Sequence, residues 1–226
     1  MDEMILTMAK RRSTRYYKQE PLSEADSTKI ELFLKTLEEA SGLRFVLVND
    51  DPAVLDKNRD RFHYPDSPNY IAVFHEKDDP LSEMKAGYFG EILVLTLTQM
   101  GLGTCWVGSY NPDKMRIQPK ENEGCKCIIA VGYQDMAHLP QYHEPKFYDL
   151  PDEPDWYKGG ISAAMMAPQA MGRQDFRFGH TGNEVRVEKP LGPYRYIDLG
   201  ILKLHFELGA GKENFTWARP GWEFGF

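Results

Sequence analysis

The chain has 226 residues, 42% of them hydrophobic, enough to bury a sizeable core without disulfide staples or a structural metal. Its 34 acidic against 27 basic residues leave a net charge of −7, which provides no basic field for nucleic acid. Three cysteines, an odd number, argue against a disulfide framework, and the longest apolar run, Ile92 to Leu97, is far shorter than the roughly 20 residues a membrane span requires. The start, Met1-Asp2-Glu3-Met4, is acidic and lacks the basic region and cleavage pattern of a signal peptide, so a soluble, cytoplasmic protein is expected.

Residues 24–40 place Ile30, Phe33, Leu34 and Leu37 at helical spacing behind Ser23 as a plausible N-cap, which predicts an amphipathic helix closed by Ser41-Gly42. Leu43 to Val48 then reads as a strand ended by Asn49-Asp50-Asp51-Pro52, and Tyr70 to Phe74 as a second. Residues 81–100 form a helix apolar on most sides, and therefore buried, which Gly101-Leu102-Gly103 stops. A short extended piece at 104–108, a helical turn near 113–117 and a buried strand from Cys125 to Val131 follow. Helices alternating with strands indicate an α+β chain, a mixed sheet flanked by helices.

From 134 to 156 the composition shifts. Pro140, Pro145, Pro151 and Pro154, with several acids and few aliphatics, make this stretch an extended connecting arm. After it, 157–178 repeats the earlier order of helix, loop and strand-like residues, Phe176-Arg177-Phe178, and Tyr196 to Gly211 lays over Tyr88 to Gly103 without a gap. An internal partial duplication is expected, with 1–133 as the main half, 134–156 as the arm and 157–226 as a completing half that lacks the later strands.

Three stretches could carry chemistry. Arg11, Arg12 and Arg15, with the Ser13 hydroxyl between them, suit phosphate and ribityl oxygens because guanidinium forks give bidentate, charge-assisted bonds at every relevant pH; a solvated basic patch is the bland alternative. Gly101 to Gly108 reads GLGTCWVG and is followed by Ser109, so either a simple helix stop or a backbone that must pass close to a ligand would explain the glycines. Ala167 to Phe176 reads APQAMGRQDF. The histidines at 63, 75, 138, 143, 180 and 205 show no metal-ligand spacing, and Ser13 and Ser109 lack the setting of an esterase nucleophile. Cys125 and Cys127 read as strand packing, so no metal site is expected.

These three stretches, in this order, resemble the FMN-dependent nitroreductase family. RRSTRYY is similar to its opening signature, GLGTCWVG to its GLGTCWIGG stretch and APQAMGRQDF to its APSxxNxQPW loop. The resemblance implies that Arg11, Arg12, Ser13 and Arg15 contact FMN and that the backbone at Gly108 and Ser109 reaches the flavin N5. It also implies that Pro168, Gln169 and Gln174 cover the pyrimidine edge. Gln169 stands where the family has serine, and Gly172 where it has asparagine. The first and last signatures normally meet across a dimer; here one chain carries both, as in nitroreductases of the Thermotoga type. A monomeric pseudo-dimer or a homodimer would then bind one FMN per chain. NAD(P)H would be the reductant and a small electron-poor molecule the acceptor, with no catalytic side-chain acid or base demanded. The same fold also admits a flavin binder with little turnover, or another reduced-flavin reaction such as dehalogenation or flavin breakdown.

Overall fold

The computed structural model describes residues 3–55, 64–138, 150–174, 176–188, 191–219 and 221–224. The chain opens on a helix, α1 (Glu3–Lys10), that the sequence pattern did not single out. Its length of 8 residues is too short for a clear periodic stripe, and its helicity comes from docking Met8 into the core. Helix α2 (Glu24–Ser41) matches the expected amphipathic helix. The Ser23 side chain accepts from Asp26 N–H, Ile30, Leu34 and Leu37 are buried, and Gly42 at φ 72 closes it with an N–H to the Glu38 carbonyl.

Strands β1 (Arg44–Val48) and β2 (Tyr70–Glu76) pair antiparallel, and β2 leads into the long helix α3 (Pro80–Gln99). Asp79 caps α3 by accepting from Leu81 and Ser82 N–H, and Pro80 sits in the first turn, where its missing N–H costs nothing. Strands β3 (Gly103–Val107), β4 (Glu123–Gly124) and β5 (Ile128–Gly132) complete a sheet of order β1-β2-β5-β3, with β4 on β2. The expected strand at 125–131 therefore begins later, because Glu123 and Gly124 pair separately with the end of β2. The ladders of this sheet are antiparallel; a parallel bridge, Ser13 to Thr104, adds the amino-terminal segment beside β3.

Alternation along the central strands builds two cores. Ile71, Val73, Ile129 and Val131 face the helices, while Tyr70, Ala72, Phe74, Ile128 and Ala130 face Tyr17, Val54, Leu55, Tyr110 and Met115 on the other side. Both faces are covered, which is why these strands read as continuous apolar runs rather than alternating ones.

In the second half, α4 (Asp155–Met165) precedes a hairpin, β6 (Arg177–Thr181) and β7 (Glu184–Glu188), turning at Gly182 with φ 60. Helix α5 (Arg195–Ala210) follows, and β8 (Thr216–Trp217) returns parallel to β7. The completing half was expected to lack later strands, yet it forms a three-stranded sheet of its own, β6-β7-β8. Isolated strand residues at Phe176 to Phe178 understated it because the hairpin's alternating charged residues leave only Val185 fully buried. Much of the expected arm, 139–149, lies outside the described residues.

Helices α3 and α5 cross with their backbones in contact. A Cβ on Gly200 would overlap the Met84 carbonyl, and one on Gly87 would overlap the Ile197 carbonyl. In the ungapped overlay of the two helices, however, Gly87 falls opposite Arg195 and Gly200 opposite Ile92, so the crossing is not made by equivalent residues. One hydrophobic core runs from Met8 to Phe224 through both halves. Among the described residues no helix is long and apolar enough to cross a membrane.

Candidate functional site

The first two motifs are joined directly. Thr14 N–H donates to the Thr104 carbonyl at 2.9 Å, beside the Ser13 to Thr104 bridge, so the arginine segment runs along β3. Gly103 is glycine because Thr14 and Gln134 press on it: a Cβ there would lie 2.6 Å from Gln134 Cγ and 2.8 Å from Thr14 Cγ2. The three arginines then separate. Arg15 is exposed, with a 3.3 Å bond to the Ser13 carbonyl, whereas Arg12 donates to the carbonyls of Ala9 at 2.6 Å and Arg11 at 2.7 Å, closing the end of α1.

Arg11 turns inward. Its side chain is 12% exposed, and its Nε lies 4.0 Å from Oε1 of the fully buried Glu91 on α3. Burial lowers the Arg11 pKa from its ordinary value, and the Glu91 charge opposes that shift. Glu91 accepts from Trp106 Nε1 at 2.8 Å and lies 3.0 Å from His205 Nε2 of α5, whose Nδ1 is 3.1 Å from the Ala163 carbonyl of α4. One carboxylate thus ties the arginine motif, the GLGTCWVG motif and both helices of the second half together. A carboxylate with no solvent around it needs such partners, and here it has two cationic or ionisable groups and an indole N–H.

Gly108, just past the end of β3, is covered by the second half. A Cβ on it would overlap the ring of Tyr194 and lie 2.6 Å from the tyrosine hydroxyl. Tyr194 is the residue before α5, and its carbonyl accepts from Asp198 N–H. Asp198 in turn accepts from Ala170 N–H at 3.0 Å, which fastens the third motif to α5. Burial pushes the Asp198 carboxyl up to about 6, and the Ala170 bond opposes the shift.

The Pro168 to Gln174 loop has its own backbone logic. Met171 and Gly172 both take positive φ, 60 and 66, a region that glycine enters freely and asparagine tolerates. Gly172, which stands at the asparagine position of the loop this stretch resembles, thus meets a left-handed backbone position. Gln174 donates from Nε2 to the Met165 carbonyl at 3.0 Å, capping the end of α4. Gln169 differs: among the described residues neither of its buried amide atoms, Nε2 and Oε1, has a hydrogen-bond partner, nor does Arg11 Nε. Leaving a buried amide unmatched is unfavourable by about 1–3 kcal/mol per group, so these atoms fit a ligand that both donates and accepts. The polar edge of a flavin pyrimidine ring does both.

Sequence reasoning passed over Glu91, His205, Asp198 and Tyr194. A signal was present, since Glu91, Asp198 and His205 are polar residues inside largely apolar helical stretches, as are Lys203 and Glu207. Burial pushes the thiols of Cys105, Cys125 and Cys127 up, which leaves them poor nucleophiles. Among the described residues no group of three or more His, Cys, Asp or Glu is arranged to hold a metal ion. A cavity of about 520 Å³ opens near the start of α3, lined by Arg44, His75, Lys85, Lys120 and Glu123, and it includes none of the motif residues.

A family model described as "Putative TM nitroreductase" matches residues 3–210. Among solved structures, a putative nitroreductase from Thermotoga maritima is similar at 24% identity and a TM-score of 0.63, covering 98% of this chain and 91% of its own. A Bacteroides fragilis nitroreductase with bound FMN is similar at 18% identity and a TM-score of 0.53, covering 68% of this chain and 100% of its own. At these identities the two structures show the fold. The comparison with curated proteins found no match.

Proposed function

The chain belongs to the nitroreductase family, and on that premise we propose that it is an FMN-dependent oxidoreductase. It would pass hydride from NAD(P)H to a small electron-poor acceptor such as a nitroarene or quinone. The observation that carries this reading is Gln169, whose buried amide is unmatched at both ends among the described residues, on a loop held by α4 and α5.

When bound, FMN supplies the hydride chemistry, and the protein supplies position and electrostatics. Gln169 would hold the pyrimidine edge, with Pro168 and Gln174 shaping the loop around it. Arg11, Arg12, Ser13 and Arg15 would take the phosphate and ribityl oxygens; Arg15 is the most exposed of the arginines, and Arg11 is held in place by Glu91. The backbone at Gly108 and Ser109 would donate to the ring. One chain would thus supply what a dimer usually does, with 1–133 and 157–226 as its two halves in a cytoplasmic monomer or homodimer.

The purified protein should be bleached by NADPH under nitrogen and recover its colour on addition of a nitroarene. Gln169→Leu should weaken FMN retention by about 1–3 kcal/mol, the net worth of two neutral hydrogen bonds. Retention equal to that of the parent would remove Gln169 from the site. Stable colour that NADPH cannot bleach would instead mark a flavin binder without turnover.

A further inference from the structure

We propose that Tyr194 is a cover over the flavin-ring seat, closing the approach to Gly108 until the ring displaces it. The proposal rests on the flavin reading given above. For the Gly108 backbone to donate to a ring nitrogen, the ring must come within about 3 Å of it. The side that a Cβ would occupy is already filled by the phenol tip of Tyr194, with its hydroxyl 2.6 Å from that Cβ position. Gly108 is thus open to close approach, yet the group approaching it is a side chain from the other half of the chain.

The surroundings allow the tyrosine to leave. Tyr194 is partly exposed, and it stands at the start of α5 rather than within it. Gly192, two residues earlier, takes φ 108, a backbone region open chiefly to glycine, so this entry to α5 has the freedom a hinge needs. Behind it, Asp198 holds both the Tyr194 carbonyl, through its own N–H, and the Gln169 loop, through its carboxylate. Movement of Tyr194 and of the loop that would grip the pyrimidine edge is therefore coupled through one residue.

If the seat is open only part of the time, the apparent Kd for FMN is raised in inverse proportion to the open fraction. Removing the ring tip should lower it. Tyr194→Ala and Tyr194→Leu, titrated with FMN by fluorescence quenching, should bind roughly fivefold or more tightly than the parent, as expected when a closed state is removed. Tyr194→Phe keeps the ring tip and should stay near the parent. In rapid mixing, the association rate of the parent should level off with rising FMN while those of the Ala and Leu variants keep rising.

Unchanged or weaker binding in both the Ala and Leu variants, with the parent still binding FMN, overturns the cover and leaves the flavin reading standing. If neither the parent nor the variants take up FMN, the flavin reading fails and the cover with it. Leu is included because Ala removes apolar contact beside α5; circular dichroism shows which variants are folded.

Discussion

Replacing Gly200 by alanine is expected to lower stability by about 3 kcal/mol, near the top of the usual range for overpacking. For a chain of this size that is a fall in Tm of roughly 6–12 °C. The new methyl group would meet the Met84 carbonyl and lie 2.7 Å from Tyr88 N, both backbone atoms of α3. A side-chain tip could turn away, but a helix backbone cannot; the two helices would have to separate. That separation would also loosen Glu91 from His205 and Tyr88 from Glu207. Gly179→Ala serves as the control, because no described residue lies within 4 Å of its Cβ position and exposed substitutions of this kind stay within about 0.5 kcal/mol. Thermal unfolding followed by circular dichroism separates the two, and equal Tm values for both variants would contradict the backbone crossing of α3 and α5.

Glu207→Leu should be the second severe change, at about 3–5 kcal/mol, the usual effect of leaving one member of a buried ion pair alone. Glu207 accepts from Tyr88 Oη at 2.6 Å, Trp217 Nε1 at 2.8 Å and Lys203 Nζ at 3.2 Å, and Lys212 lies 3.4 Å away. Lys203 is fully buried, and its ammonium rests 3.9 Å from the centre of the Trp217 ring. Burial brings the Lys203 pKa down to about 8, with Glu207 holding it up against that pull. Taking away the carboxylate strands the Lys203 ammonium together with the Tyr88 hydroxyl and the Trp217 indole N–H. The double variant Lys203→Met, Glu207→Leu removes the charge with its partner and should recover most of the loss, since an apolar replacement of a buried pair is often neutral. Denaturant midpoints measure both effects, and a double variant no more stable than Glu207→Leu would show that the pair is not the source of the loss.

How much of this could be read from sequence varies with the physics of each part. Helix α2 was legible because its apolar stripe, Ser23 cap and Gly42 stop all agree, and strands β1 and β2 because turn residues flank short apolar runs. The three motifs were legible as a resemblance, and the family match over 3–210 supports it. Helix α1 was not, since eight residues carry little periodicity and its helicity depends on tertiary contact. The β6-β7-β8 sheet was hidden because the exposed residues alternating along its hairpin leave only Val185 buried there.

Within the candidate site, residue types were readable but directions were not. Arg11, Arg12 and Arg15 look alike on paper, yet one faces a buried carboxylate, one closes a helix and one faces solvent. Gln169 and Gly172, the departures from the family loop, have separate explanations: an unmatched buried amide and a left-handed backbone position. Neither burial nor φ is written in a residue's name. Tyr194 was invisible for a different reason, because its meeting with Gly108 depends on how α5 packs against the first half.

On the proposed reading, residues from both halves of a single chain build one flavin site. Titration of the protein with FMN, followed by fluorescence quenching and by the visible spectrum after gel filtration, tests it most directly. Saturation at about one FMN per chain is expected, since the sequence holds one set of arginine, glycine and Gln169 elements. A protein that stays colourless with added FMN, or one that saturates at two per chain, would contradict it.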